Sequence, residues 1–230
     1  MNCKKIFTIY LPLLIISIII WPKLPTQDSP AYFNFAGEPS HNILSNIPFL
    51  LVGLFGILSL RWRKITKINF LTSSYIFSLG IILTAFGSTY FHAYPTPETL
   101  FWDRLPMAIT FSGMLGVITT DRLFPQLKTG FIYLILLISI LTVINWSFGN
   151  RDLRPYLIIQ FVGGFYVFLT AICTPSNILA NKKVFLSTFF YVLAKVFEVY
   201  DLQTLETLKI TNGHTLKHFS AAISALLLLP

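Results

Sequence analysis

The sequence predicts an all-α fold: a polytopic membrane helix bundle with a seven-helix core and one N-terminal anchor helix. Of the 230 residues, 54% are hydrophobic and only 11% are charged, with a mean hydropathy of +0.70. Soluble domains carry about 25% charged residues, and a chain of this size cannot bury so much apolar surface within itself. Lipid is therefore the expected solvent of the bundle.

Eight apolar runs with short connections account for most of the chain. The first run follows Lys4 and Lys5, as a signal peptide would, but it is long for one and lacks a small-residue cleavage site. We expect residues 1–22 to form a retained anchor helix or uncleaved signal, and residues 23–230 to form one seven-helix membrane domain. The runs cover 6–22, 44–60, 70–91, 104–120, 130–146, 155–173, 184–200 and 214–229.

The basic residues predict the orientation of the bundle. The net charge is +8, but the lysines and arginines come in twos and threes between the apolar runs and form no basic stripe, which disfavours a nucleic-acid partner. With the N-terminus inside, ten of them fall on the inner side and six on the outer side. The positive-inside rule then places both termini in the cytoplasm. Cys3 and Cys173 cannot form a disulfide framework, and we interpret them as unpaired small residues.

The histidines and most acids gather at the predicted outer face. Seven of the nine acids and all four histidines lie in outer loops or at the outer ends of runs. Positive-inside sorting does not act on these residue types, so it does not explain the asymmetry. A functional outer face would explain it. The four histidines are His41, His92, His214 and His218.

Three of these histidines form a candidate metal site. His214 and His218, in the segment GHTLKH at 213–218, are four residues apart and share one face of the last helix. His92 ends the third run at the same membrane level. Three neutral imidazoles can hold a tetrahedral zinc ion with one position open for water, whose pKa zinc lowers to about 7. We therefore predict Zn²⁺ as the cofactor. His41 lies in a loop, where an ordinary surface histidine is expected.

Two oxygen-bearing side chains are candidates for catalysis beside this site. Ser88 lies one helical turn before His92, and Asp103 opens the fourth run after a short loop that contains two prolines. Asp103 could accept a proton from a bound water, and Ser88 could donate to a developing oxyanion. The structural alternatives are a helix cap or a salt bridge with Arg104 for Asp103, and helix packing for Ser88.

Several motifs in order resemble the alkaline ceramidase family. They are GSTYFH at 87–92, WDRLPM at 102–107, GHTLKH at 213–218, NILSNIPF at 42–49, RPY at 154–156 and AKVFE at 194–198. The resemblance, which spans about residues 42–222, implies a seven-helix hydrolase that cleaves the amide of ceramide-like lipids within the bilayer. It also implies zinc ligands at His92, His214 and His218, with Asp103 and Ser88 serving the bound water and the oxyanion. No obligate protein partner is evident.

Some readings stay open on the sequence. Eukaryotic members of that family carry a calcium site, and the loop before the second run offers oxygen ligands at Asp28, Asn34, Glu38 and Asn42, but with a different spacing. Lys195 and Glu198, three residues apart on one helix, form either a structural ion pair or a second layer around the site. The alternative function is a non-hydrolytic seven-helix receptor or transporter with a structural zinc ion.

Overall fold

The computed structural model describes residues 11–20, 22, 35–63, 65–176 and 178–230. Within these ranges every regular element is helical and no strand occurs, which confirms the all-α prediction. Two π-helical turns, Thr119–Leu123 and Ile158–Val162, continue the helices before them. The α-helices are α1 (Leu11–Ile20), α2 (Pro39–Leu44), α3 (Ile47–Trp62), α4 (Ile68–Ala93), α5 (Pro97–Ile118), α6 (Thr129–Phe148), α7 (Arg154–Leu157), α8 (Gly163–Cys173), α9 (Asn181–Val199), α10 (Asp201–Leu208) and α11 (Gly213–Leu227).

Four helical segments of the described chain are long and apolar enough to cross a membrane. They are Pro39–Trp62, Ile68–Ala93, Thr129–Phe148 and Arg154–Cys173. The other predicted core spans correspond to α5, α9 and α11, which are also helical. However, α11 has only 15 residues and α5 carries several charged side chains. The seven-span core and the orientation of the termini therefore stay predictions. Of the predicted anchor, the structure describes Leu11–Ile20, which is helical, and Pro22.

The distribution of apolar and polar side chains is that of a bundle in lipid. On α6, Leu134, Leu137 and Leu141 are about half exposed, at 47%, 52% and 49%. In contrast, Ser73 and Ser74 on α4 are completely buried. Large aliphatic side chains outside and small polar ones inside are the arrangement that membrane helices adopt, because small residues allow close packing.

The helices pack so that the ends of α4, α5 and α11 meet. The most extensive helix–helix contact joins α4 to α5, while α11 packs between α3 and α9. Close approach of α4 and α5 depends on Gly87, where a Cβ atom would collide with the backbone oxygen of Trp102. Gly213 plays the same part at the start of α11, since a Cβ there would collide with the carbonyl oxygen of Phe197.

The start of α5 differs from the prediction. The helix begins at Pro97, where Thr96 and Thr99 form a reciprocal capping box, so Asp103 lies in the second turn and does not cap the helix. A threonine side chain satisfies the backbone N–H groups that a helix leaves free at its start. The apolar run begins later than the helix because the first turn is polar.

A candidate metal and hydrolytic centre

Three buried histidines converge from two helices. His92 comes from the last turn of α4, and His214 and His218 come from the first turns of α11, with exposed fractions of 5%, 7% and 4%. The Nε2 atoms of His92 and His214 are 3.0 Å apart. The centroids of the three rings lie 4.6 to 5.2 Å from one another. The predicted set of three histidines therefore comes together.

The hydrogen bonds of His218 leave its Nε2 atom available for a metal ion. Its Nδ1 atom lies 2.7 Å from the Ser45 hydroxyl, and that hydroxyl is also 3.0 Å from the carbonyl oxygen of Asn42. A carbonyl only accepts, so the single hydroxyl proton goes to Asn42 and the Nδ1–H of His218 donates to Ser45. The second ring nitrogen, Nε2, then carries the lone pair. Partners of this kind orient metal-binding histidines.

His214 is fixed through its backbone and contacted at its side chain by a lysine. Its backbone N–H donates to Asp201 Oδ1 over 2.7 Å, which places a carboxylate at the N-terminus of α11. The Lys217 ammonium lies 2.8 Å from His214 Nε2. An ammonium has only donors, so the Nε2 atom of His214 also carries a lone pair.

These features fit a metal ion. The ligand atoms of the three histidines lie within 4.8 Å of one another, and in the described part of the chain they form a group with no fourth histidine, cysteine or carboxylate. Ligands about 2.0–2.1 Å from a tetrahedral ion are roughly 3.3 Å apart, close to the 3.0 Å between His92 and His214. His41, as expected, is exposed on α2.

Ser88 and Asp103 meet beside the histidines. Ser88 is 3% exposed, and it lies close enough to Asp103 for its hydroxyl to interact with the carboxylate. The close approach of α4 and α5 at Gly87 brings the two together. The neighbouring Arg104 lies over the ring of Trp146, 4.2 Å from its centroid. Both predicted side chains line the same cavity as His214 and His218.

A cavity of about 880 Å³ leads to this cluster. Ser88, Asp103, His214 and His218 line its polar end, while its remaining wall is largely aromatic and aliphatic, contributed by α4, α5, α8, α9 and α11. This volume is within the range of ligand-binding pockets. An apolar chamber with a few polar groups at one end suits a lipid whose polar part meets the histidines.

A loop before α2 covers the histidines. The ring of Phe35 packs edge-on against His92 and His214, with centroids 4.7 and 4.5 Å apart. The backbone N–H of Ala36 donates to Asp201 Oδ2 over 3.0 Å, and the side-chain amide of Asn212 donates to the carbonyl of the same residue. The loop is thus attached to the start of the helix that carries two of the histidines.

Two further sequence predictions concern groups around this centre. Lys195 and Glu198 do form an ion pair, with 2.6 Å between Nζ and Oε2. Of the calcium candidates, Asp28 and Asn34 lie outside the described residues and Glu38 is exposed. The Asn42 Oδ1 atom accepts hydrogen bonds from the side chains at 212 and 215, so it is directed at α11. The calcium site stays a prediction.

Sequence reasoning did not identify every residue of the centre. It gave no role to Ser45, Phe35, Lys217 or Asp201. Lys217 carried a usable signal, because it lies three residues after His214 and therefore on the same helical face. The contacts of Ser45 and Phe35 span more than 50 residues and follow from the tertiary structure alone.

No protein-family model matches the chain, and no curated protein or solved structure matches it either. The resemblance to alkaline ceramidases therefore rests on the motifs quoted above, and what it implies for activity stays a prediction.

Proposed function

We propose that the protein is a zinc-dependent membrane hydrolase that cleaves the amide bond of an N-acyl lipid of the ceramide type. The observation that supports this most is the convergence of His92, His214 and His218 next to Ser88 and Asp103 at the polar end of an apolar cavity. Imidazole nitrogens suit zinc, and a set of three leaves one coordination position for a reactant.

The side chains around the centre support hydrolysis in distinct ways. When bound, zinc polarises a carbonyl group and makes water more acidic. Asp103 accepts a proton from the attacking water as the new C–O bond forms at the carbonyl carbon. It then passes this proton to the amine nitrogen, so that the C–N bond breaks and the amine leaves. Once Asp103 holds this proton, it no longer competes for the Ser88 hydroxyl proton, and we expect that hydroxyl to donate to the oxygen of the former carbonyl. The products are a fatty acid and an amine.

The alternative is a non-hydrolytic receptor or transporter with a structural zinc ion. Structural zinc sites generally have four protein ligands. In the described residues the group holds three. A serine and a carboxylate adjoining that group, at the end of a lipid-sized cavity, favour hydrolysis over a purely structural role.

The proposal is tested with the full chain in detergent or nanodiscs. Replacing His214 by alanine should abolish both the bound zinc, measured by elemental analysis, and the release of fatty acid from N-acyl lipids. The matched control is His41→Ala, because His41 is exposed and lies outside the metal group. It should keep both properties.

The outcomes separate the two functions. Zinc bound with a water or substrate position, together with fatty-acid release that a chelator stops, supports the hydrolase. If His214→Ala loses zinc and still releases fatty acid at the normal rate, the proposal is wrong. Zinc binding without any lipid cleavage, across a panel of N-acyl lipids, would favour the structural role.

A further inference from the structure

A second cluster of charged side chains lies at the polar end of the cavity, next to the histidines. Lys195, Glu198 and Lys217 all line it. Glu198 lies between the two lysines, with Oε2 at 2.6 Å from Lys195 Nζ and Oε1 at 3.5 Å from Lys217 Nζ. Two ammonium groups therefore share one carboxylate. Counted over all the charged side chains that line the cavity, three are basic (Arg104, Lys195 and Lys217) and two are acidic (Asp103 and Glu198). A neutral lipid amide would not require this excess of one positive charge within an apolar bundle, where charges are costly.

Lys217 is the residue of the cluster whose N–H donors are least used by strong hydrogen bonds. An ammonium group has three N–H donors, and the distance from Lys217 to Glu198 is longer than the 2.7–2.9 Å or so of a strong charge-assisted hydrogen bond. Its other polar contact is His214 Nε2, at 2.8 Å. A metal ion on the histidines needs the same lone pair, so Lys217 and the metal compete for it. A metal ion would take this lone pair, and the ammonium group, which lines the cavity, would then keep N–H donors for a ligand there.

A buried hydroxyl accompanies the lysines. Tyr156, which is 3% exposed, lines the same cavity, and its hydroxyl has no hydrogen-bond partner in the described ranges. It is close enough to Asp103 and Glu198 to interact with them electrostatically. Buried hydroxyl groups are normally paired. A ligand with acceptor oxygens at this end of the cavity would supply its partner.

We propose that this cluster binds a carboxylate carried by the amine part of the substrate, so that the preferred lipid is an N-acyl amino acid. The proposal rests on the proposed function and narrows its substrate class. The acyl chain fits the apolar part of the cavity, which leaves the amine part facing the lysines. Because Lys217 Nζ is 2.8 Å from a proposed ligand nitrogen, the anionic group must lie within a few bonds of the amide that is cleaved.

The test compares two N-acyl amides, of which only one carries a carboxylate on its amine part. N-palmitoylglycine has a carboxylate where N-palmitoylethanolamine has a hydroxymethyl group. With the zinc-loaded full chain, kcat/KM should be at least about tenfold higher for the carboxylate, as expected for a charge-assisted hydrogen bond. Lys217→Met should bring the ratio to within roughly threefold of unity. Lys195 bonds to Glu198 and not to a histidine among the described residues, and Lys195→Met should also lower the ratio of the two kcat/KM values.

Lys182→Met is the matched control, since Lys182 is exposed near the start of the same helix as Lys195 and does not line the cavity. It should leave the ratio unchanged. Zinc content is measured for every variant, so that loss of metal is distinguished from loss of selectivity.

A binding measurement separates this inference from the proposed function. In chelator-treated protein, N-palmitoylglycine should raise Tm more than N-palmitoylethanolamine, and Lys217→Met should remove the difference. Equal cleavage of both amides, or a ratio that Lys217→Met leaves unchanged, overturns the inference while the hydrolase proposal stands. Selective binding through Lys217 without cleavage of either amide supports the carboxylate site and contradicts the hydrolase.

Discussion

Replacing Ser45 by alanine tests whether the hydroxyl orients a metal ligand. The Ser45 hydroxyl accepts a hydrogen bond from His218 Nδ1 at 2.7 Å and thereby turns Nε2 towards the other histidines. Loss of such a partner typically weakens metal affinity 10- to 100-fold, which corresponds to about 1.4–2.8 kcal/mol. We expect Ser45→Ala to raise the Kd for zinc by this factor, measured by competition with a chromogenic chelator.

Ser59→Ala is the matched control. Ser59 is also buried, and its hydroxyl donates to the carbonyl three residues earlier, as that of Ser45 does, but it has no contact with a histidine. Without metal, Ser59→Ala should lose roughly 1 kcal/mol of stability for one hydrogen bond to the backbone, and Ser45→Ala should lose more, because it also leaves the buried Nδ1–H of His218 without an acceptor. Only Ser45→Ala should lose zinc affinity. Equal zinc affinities in the two variants would refute the assigned role of Ser45.

Three other substitutions distinguish residues that stabilise the fold from a residue that takes part in the proposed reaction. Gly87→Ala should lower the free energy of unfolding by about 1–3 kcal/mol, because the added Cβ would collide with the backbone of Trp102. The control Gly130→Ala, where no atom lies near the added Cβ, should not lower the stability of the protein. Denaturant titration in micelles measures the free energy of unfolding of both variants. Asp121→Asn removes the charge from a completely buried carboxylate that accepts backbone N–H bonds, so stability should fall by roughly 1–3 kcal/mol while zinc content stays normal. Asp103→Asn should keep zinc, yet lower kcat for amide cleavage by about 10²-fold or more; an unchanged kcat would exclude its role in proton transfer.

The histidine cluster could be predicted from the sequence because its geometry is largely local. His214 and His218 share a helical face whatever surrounds them, and His92, which the sequence predicts at the same membrane face, lies in the last turn of its helix. Asp103 lines the same cavity as His214 and His218, but it does not open its helix as the apolar run suggests. The capping box at Thr96 precedes the apolar run, and hydrophobic periodicity does not register a polar first turn.

The supporting contacts could not be predicted, because they join distant parts of the chain. Ser45 meets a histidine 173 positions away. Phe35 belongs to a loop without periodicity, and its place over the histidine rings depends on how α4 and α11 pack. Membrane spans were predicted from composition, and four of them have the required length and hydropathy. The charged α5 and the short α11 show why composition alone does not decide the rest.

Asp201 connects the cover of the site to its ligands. One carboxylate oxygen accepts from the backbone of Ala36 in the loop, and the other accepts from the backbone of His214 at the start of α11. The loop that carries Phe35 and the helix that carries two of the histidines thus both bond to the Asp201 carboxylate, and the Asn212 side chain adds a second bond to the loop. Any movement that opens the cover must break one of these bonds or displace His214. Access to the histidines from the loop side is therefore coupled to their geometry, whereas the cavity reaches them from within the bundle and leaves these bonds intact.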